Sequence, residues 1–498
     1  MVDDDDISAL VSSAALVFIG TIFSSASGLF ERIVIGRFLG PEEYGIVSVC
    51  VAVVMLATTG SMLGLSQGIP RFIPRFSNEA DMRGVWASGA ISVTILSLIV
   101  TCSLIILSNP ISRMILGSES QIDNLVIFCL SIPFIVLFKI SISAIRGLEN
   151  TRFRIYVQDL AYPIVRILTL FILLYFGWSV RSSAVAYLFA GLFSFILSHI
   201  FLNKIQPLFG TATWRFRRLL KFSAPLVVST MMSILLTRSD TIMLGYFLSP
   251  KQVGLYSAAY PIAEGLQLIL SSFGFLYLPL ASRLDSNNER DQTENIYEIT
   301  TKWIVILTFP AFALFAVFPR ETLNLFWGAE YTSGAAVLSI LSIGFFSSAI
   351  IGRNRETISA FGFTKYVMYA NTFAFVLNIA LNLYLIPKYG IIGAATSSAI
   401  SFVSLNILVN LVLKLKFDIS PFSSYTFRIF FALGLLLAPL IVVSLLIDFH
   451  YIVLFLLFPL IGISTLLAVI AIGGLQPEDK IPIRILEEKL NISLSKYL

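Results

Sequence analysis

Runs of about twenty mostly apolar residues, long enough to span a bilayer as a helix, recur fourteen times along the chain. They occupy 10–35, 44–68, 84–107, 122–145, 157–178, 183–203, 222–246, 254–280, 302–319, 332–352, 366–387, 392–413, 426–447 and 451–473. Lipid offers no partner for backbone N–H and C=O groups, so runs of this kind must be helices. The expected fold is an all-α polytopic membrane protein with about 14 transmembrane helices. Composition agrees: 57% of residues are hydrophobic and 13% charged, with a mean hydropathy of +0.88. A soluble domain carries about 25% charged residues.

Orientation follows from Lys and Arg, which are in excess in cytoplasmic loops. The even-numbered loops with their bordering run ends (Lys302 and Arg428) and the C-terminal tail hold 24 of the 34, among them Arg71, Arg75, Arg83, Arg152, Arg154, Arg215, Arg217 and Arg218. The opposite loops hold six: Arg37, Arg113, Arg181, Lys251, Arg320 and Lys388. Both termini are therefore expected in the cytoplasm of a multi-pass protein of the cell membrane. The N-terminal MVDDDDISAL has no basic region or cleavage site, so the first run reads as a retained helix rather than a signal peptide. The tail after 475 could form a short interfacial helix. Its Asn491 sequon falls on the cytoplasmic side and reads as a chance match.

The three cysteines, Cys50, Cys102 and Cys129, lie in apolar runs without metal-ligand or disulfide spacing. The two histidines, His199 and His450, are far apart. No metal and no nucleic-acid partner is expected. No GxxxxGK[ST] segment supplies an ATP site.

The chain is also written twice. FERIVIGRFLGPEEYGIVSV at 30–49 aligns without a gap, at a shift of 209, with the passage ending in SDTIMLGYFLSPKQVGLYSA at 239–258. Pro41 meets Pro250, Gly45 meets Gly254 and Ser48 meets Ser257. At a shift of 211, Gly117 and Glu119 meet Gly328 and Glu330; at 213, Phe176-Gly177 meets Tyr389-Gly390. Small loop insertions between duplicated halves would leave such a drift. The expected organisation is a six-helix lobe at 1–210, a second at 211–418, two extra helices at 419–475 and a tail at 476–498. Six is even, so the copies share one orientation and form a parallel repeat, with a site expected near the midplane.

The FLGPEEYG turn, the two lobes, the extra helix pair and WGAEYTSGAAVLSIL at 327–341 resemble the polysaccharide-biosynthesis flippases of the multidrug/oligosaccharidyl-lipid/polysaccharide exporter superfamily. The phrasing is most similar to archaeal members serving S-layer or protein N-glycosylation. The resemblance implies a flippase for a lipid-linked sugar, carried on dolichyl or polyprenyl phosphate and moved to the outer leaflet by alternating access. Its implied partners are that substrate, membrane lipid and enzymes of the glycosylation pathway. The related lipid II flippases carry an Arg-Asp pair where this chain has Glu31-Arg32, in the opposite order.

Charges inside apolar runs cost about 2.5–3.5 kcal/mol each on insertion scales and usually face a partner or a wet cavity. Arg166, near the centre of its run, is expected either to contact a phosphate or pyrophosphate or to form an ion pair within the lobe. Lys139 is expected to snorkel, to pair with Asp159 or to join in substrate binding. Arg32 and Arg238 are further candidates for substrate contact. Neither Lys139 nor Arg166 has a basic counterpart in the second copy, where Ile350 and Ile379 align. Glu31 aligns with Asp240; with Arg32 and Arg238 nearby, each acid is expected in a gate ion pair or in a helix cap. Glu264 is a candidate proton or Na⁺ site or a protonated packing residue. No other cofactor is expected.

Translocation breaks no covalent bond, so no catalytic constellation is required and the chain reads as a non-enzyme. A cation-coupled multidrug exporter of the same superfamily is the nearest alternative; such exporters usually have twelve spans. A membrane glycosyltransferase or polymerase would need an acidic, histidine or metal site on a large loop, and none is present.

Overall fold

The structure is a computed structural model that describes residues 4–287, 289–447, 449–475 and 479. Side chains are described from Ile19 onward, apart from a few positions within helices. The expected tail helix and Asn491 lie outside the described residues.

Every regular element among them is helical. In chain order the main ones are α1 (Asp4–Ser61), α2 (Leu65–Phe72), α3 (Glu79–Ile106), α4 (Ile122–Gly147), α5 (Tyr162–Tyr175), α6 (Val180–Ile205), α7 (Phe216–Phe247), α8 (Pro250–Glu264) and α9 (Gln267–Ser286). There follow α10 (Arg290–Val317), α11 (Ala335–Ile351), α12 (Thr364–Phe417), α13 (Ser424–Leu446) and α14 (Leu454–Ala471). Ten segments of the described residues are long and apolar enough to cross a membrane. Two of them, Ile19–Arg75 and Thr364–Phe417, each hold two of the expected spans. The expected spans 222–246 and 254–280 fall on α7, α8 and α9, outside those ten. A break after Glu264 separates α8 from α9. The count of fourteen therefore rests on the sequence alone.

The chain forms two compact units, Met1–Ser257 and Ala258–Leu498. In the first, α4 packs along α6 through small residues. Ser131, Ala184, Ala190 and Ser194 are completely buried, and a Cβ on Gly191 would come to 3.2 Å from Ile135 Cγ1. Small side chains let backbones approach where lipid supplies no hydrophobic drive. In the second unit α11 and α12 meet in the same way, Gly344 against Ala399. Asn406 donates to Ser347 Oγ (3.1 Å) and Ser348 Oγ (3.0 Å), and Asn378 to Ser398 Oγ (3.3 Å). Outward positions of α13 and α14, such as Phe431, Leu435, Phe455 and Leu456, stay exposed, as a lipid-facing surface requires.

The duplicated punctuation has a backbone meaning. Gly117 (φ 70°) and its counterpart Gly328 (φ 101°) both adopt positive φ, as do Gly177 (φ 78°) and Gly390 (φ 58°). Such angles suit glycine far better than other residues, so the glycines recur where both copies turn. α1 breaks at Gly40 (φ 75°) just before Pro41. The equivalent turn, at Leu248, uses extended backbone (φ −130°, ψ 168°) before Pro250. Within the first unit the two turns meet reciprocally. A Cβ on Gly45 would overlap the Pro250 carbonyl oxygen, and one on Gly254 would overlap that of Pro41. Residue i of one copy touches j of the other and vice versa, which is how a two-fold related contact behaves.

Candidate functional site

α1 carries Glu31 into the interior of the first unit, where it is 3% exposed. A lone carboxylate there would be costly. Its partner is Arg166 of α5: Nη2 lies 2.5 Å from Glu31 Oε2. Two rings complete the surroundings. Tyr162 stands one turn before Arg166 on the same helix, and Tyr187 reaches in from α6. The guanidinium carbon is 4.9 Å from the Tyr162 ring centroid and 4.6 Å from that of Tyr187. Cation–π contacts of this kind contribute about 2 kcal/mol where the charge is desolvated. One donor is left over: Arg166 Nε is buried without a hydrogen-bond partner.

The expected neighbours of Glu31 and Asp240 require correction. Among the described residues no ion pair joins Glu31 to Arg32, Asp240 to Arg238, or Lys139 to Asp159. Successive helix positions point about 100° apart, and positions two apart point nearly opposite ways, so neither i,i+1 nor i,i+2 pairs face each other. Asp240, 1% exposed, accepts a hydrogen bond from the Tyr256 hydroxyl at 2.8 Å instead. Asp159 sits in a π-helical turn, Ile155–Ala161, and is buried, with its Oδ2 unpartnered. It packs against Gly20, whose Cβ would lie 3.1 Å from that oxygen.

Two further cations act on this pair, and a third, Arg238, acts on Tyr44. Lys139 of α4 is exposed and close enough for its charge and that of Arg166 to repel. Arg32 is half-buried, and its charge acts on Glu31 and on Tyr187. Arg238, on α7, shares with Arg32 an electrostatic influence on Tyr44, and its own Nε is buried and unpartnered. The Tyr44 hydroxyl donates to the Ser257 carbonyl at 3.2 Å. Glu264, half-buried at the end of α8, belongs to the second unit.

The arrangement is thus one buried guanidinium–carboxylate pair edged by tyrosines, with Arg32 acting on the carboxylate and Lys139 on the guanidinium. It can receive an anion; among the described residues no group of acidic, cysteine or histidine side chains fit for a metal ion occurs. The tyrosines are what the sequence reading missed. Tyr162 was recoverable from its i,i+4 spacing to Arg166, whereas Tyr187 had no local signal.

Comparison with known proteins follows the same line. The family model described as polysaccharide biosynthesis protein matches residues 10–285, and one described as MatE matches 225–384. The "Probable low-salt glycan biosynthesis flippase Agl15" of Haloferax volcanii is 27% identical over 431 residues, 84% of this chain and 85% of its own. Among solved structures, the fold resembles the lipid II flippase MurJ in an inward closed conformation, with TM-score 0.73 and 18% identity, over 96% of this chain and 100% of that one. It also resembles an inward-facing multidrug resistance MATE family transporter, with TM-score 0.67 and 14% identity, over 82% of this chain and 98% of that one.

Proposed function

The chain belongs to the polysaccharide biosynthesis protein family, and on that premise we propose that it is a flippase for a lipid-linked sugar. The substrate would be a sugar or oligosaccharide on dolichyl or polyprenyl phosphate, moved by alternating access from the cytoplasmic to the outer leaflet of the cell membrane. Surface polysaccharide or protein glycosylation would consume it. Relatives named as flippases, such as Agl15, support a transporter rather than an enzyme.

One observation carries the reading: Arg166 is held by Glu31 and two tyrosine ring faces inside the membrane region, with the charge of Lys139 acting on Arg166 and that of Arg32 on Glu31. A phosphate needs charge-assisted donors, and Arg offers a planar fork that matches its oxygens. In the low dielectric of the interior each such bond is stronger than in water. The tyrosine faces bordering the cations suit an adjoining sugar ring.

The MatE match and the fold shared with a MATE transporter favour one second reading, a cation-coupled exporter of small molecules. Deletion of the gene separates the two. A flippase deletion strips glycan from surface proteins and leaves a lipid-linked sugar on the cytoplasmic leaflet, which mass spectrometry identifies. Unchanged glycan with no accumulated lipid rejects the flippase. Restoration by an Arg166→Ala variant at normal expression rejects Arg166 as the phosphate contact.

A further inference from the structure

The segment joining the two sequence copies is not a loose linker. Arg83, 7% exposed on α3, donates from Nε to the Pro207 carbonyl and from Nη1 to the Thr211 carbonyl, both at 2.7 Å. The Thr213 N–H donates to the Ala80 carbonyl at 3.0 Å, and the Arg215 N–H to Ser88 Oγ at 2.9 Å. Arg215 also pairs with Asp81 at 2.7 Å. Gly84 gives the strand of linker room, since a Cβ there would overlap the Thr213 carbonyl.

Held this way, the linker turns aromatic and basic groups outward. Phe209 is 90% and Trp214 56% exposed. Lys204, Arg217, Arg218 and Lys221 are exposed beside them, and Arg71 and Arg75 join from the end of α2. Among the described residues none of these six cations has an acidic partner. Three converge on a single pair of rings. Phe72 and Phe222 meet edge to face at 5.5 Å; Arg71 lies 4.2 Å from the Phe222 centroid, and Arg75 and Arg218 lie 5.7 and 5.6 Å from that of Phe72. Like charges gathered without a carboxylate invite an anion, and exposed Trp and Phe side chains beside them mark a membrane interface.

We propose that Arg71, Arg75 and Arg218 bind the phosphate of an anionic phospholipid headgroup, with Phe209 and Trp214 seated in the interface next to it. The bound lipid fixes the linker and the start of α7 to one leaflet. The site uses none of the residues around Arg166, so it stands or falls independently of the transported substrate. A soluble phosphate would gain the three arginines but nothing from the exposed rings, which selects a lipid.

Native mass spectrometry of the full chain in mild detergent, with phosphatidylglycerol or phosphatidylcholine added, reads the site directly. Phosphatidylglycerol should stay bound and phosphatidylcholine should not. A juxtamembrane cation contributes about fivefold to anionic-lipid binding. R71Q/R75Q/R218Q together should therefore lower phosphatidylglycerol retention on the order of a hundredfold, whereas the triple lysine variant should keep most of it. Raising the salt should release the lipid from the unmodified protein, a measurement that needs no variant to fold. Equal retention by the glutamine variant, equal retention of the two lipids, salt-independent retention, or displacement by equimolar inorganic phosphate would each overturn the proposal.

Discussion

Glu31 Oε2 and Arg166 Nη2 lie 2.5 Å apart, joining α1 to α5 beside the rings of Tyr162 and Tyr187. The acid that the sequence ties to an outer turn and the base that it assigns to the centre of another span are one buried pair. An arriving phosphate would compete with Glu31 for the same guanidinium. The pair therefore holds the cation in place when substrate is absent.

Removing one member of a buried pair strands the other and costs about 3–5 kcal/mol. Glu31→Gln and Arg166→Gln should each lower the melting temperature of the detergent-purified protein. Combined, they should cost less than the sum, with a coupling of about 1–3 kcal/mol. Simple additivity in that cycle would show that the two side chains do not interact.

Tyr187 contributes a ring face to Arg166, not a required hydroxyl bond. Tyr187→Phe should support glycan display in a deletion strain at close to the original level, and Tyr187→Leu should reduce it several-fold, because the loss of a desolvated cation–π contact costs about 2 kcal/mol. Equal activity of the two variants would remove the ring from the site.

At the reciprocal turn contact, Gly45→Ala and Gly254→Ala each push a methyl group into a facing proline carbonyl. Overpacking of this sort costs about 1–3 kcal/mol, so both variants should melt earlier. A stability equal to that of the unmodified protein at both positions would contradict the close approach.

Arg83→Ala removes both side-chain donors that hold the linker carbonyls. Limited proteolysis should then cut between 207 and 215 faster than in the unmodified protein. A protease pattern unchanged by the substitution would mean that Arg83 does not hold the segment.

In the second unit, Lys302 and Asp479 form an ion pair with exposures of 1% and 0%, and the Trp303 indole N–H donates to the same carboxylate at 2.8 Å. Asp479→Asn should destabilise by about 3–5 kcal/mol because Lys302 stays buried without its counter-charge. Adding Lys302→Met should recover part of that loss in a thermal-shift assay; no recovery would locate the defect elsewhere.

Much of the architecture was legible because bilayer length and backbone satisfaction act on local sequence. The apolar runs demanded helices, whereas the positive φ shared by the aligned Gly117/Gly328 and Gly177/Gly390 emerged only from the structure. The charge partners were not legible in this way. Adjacency in sequence suggested Glu31 with Arg32 and Asp240 with Arg238, yet a helix turns such neighbours away from each other.

The sequence by itself determined an all-helical membrane chain, since span length and apolar content are written along one dimension, and its resemblance to known flippases pointed to a transporter. Only the tertiary structure decided which buried charge faces which. Side-chain direction around a helix and the packing of α1, α5 and α6 put Arg166 between Glu31 and Tyr187, and no spacing along the chain encodes that meeting.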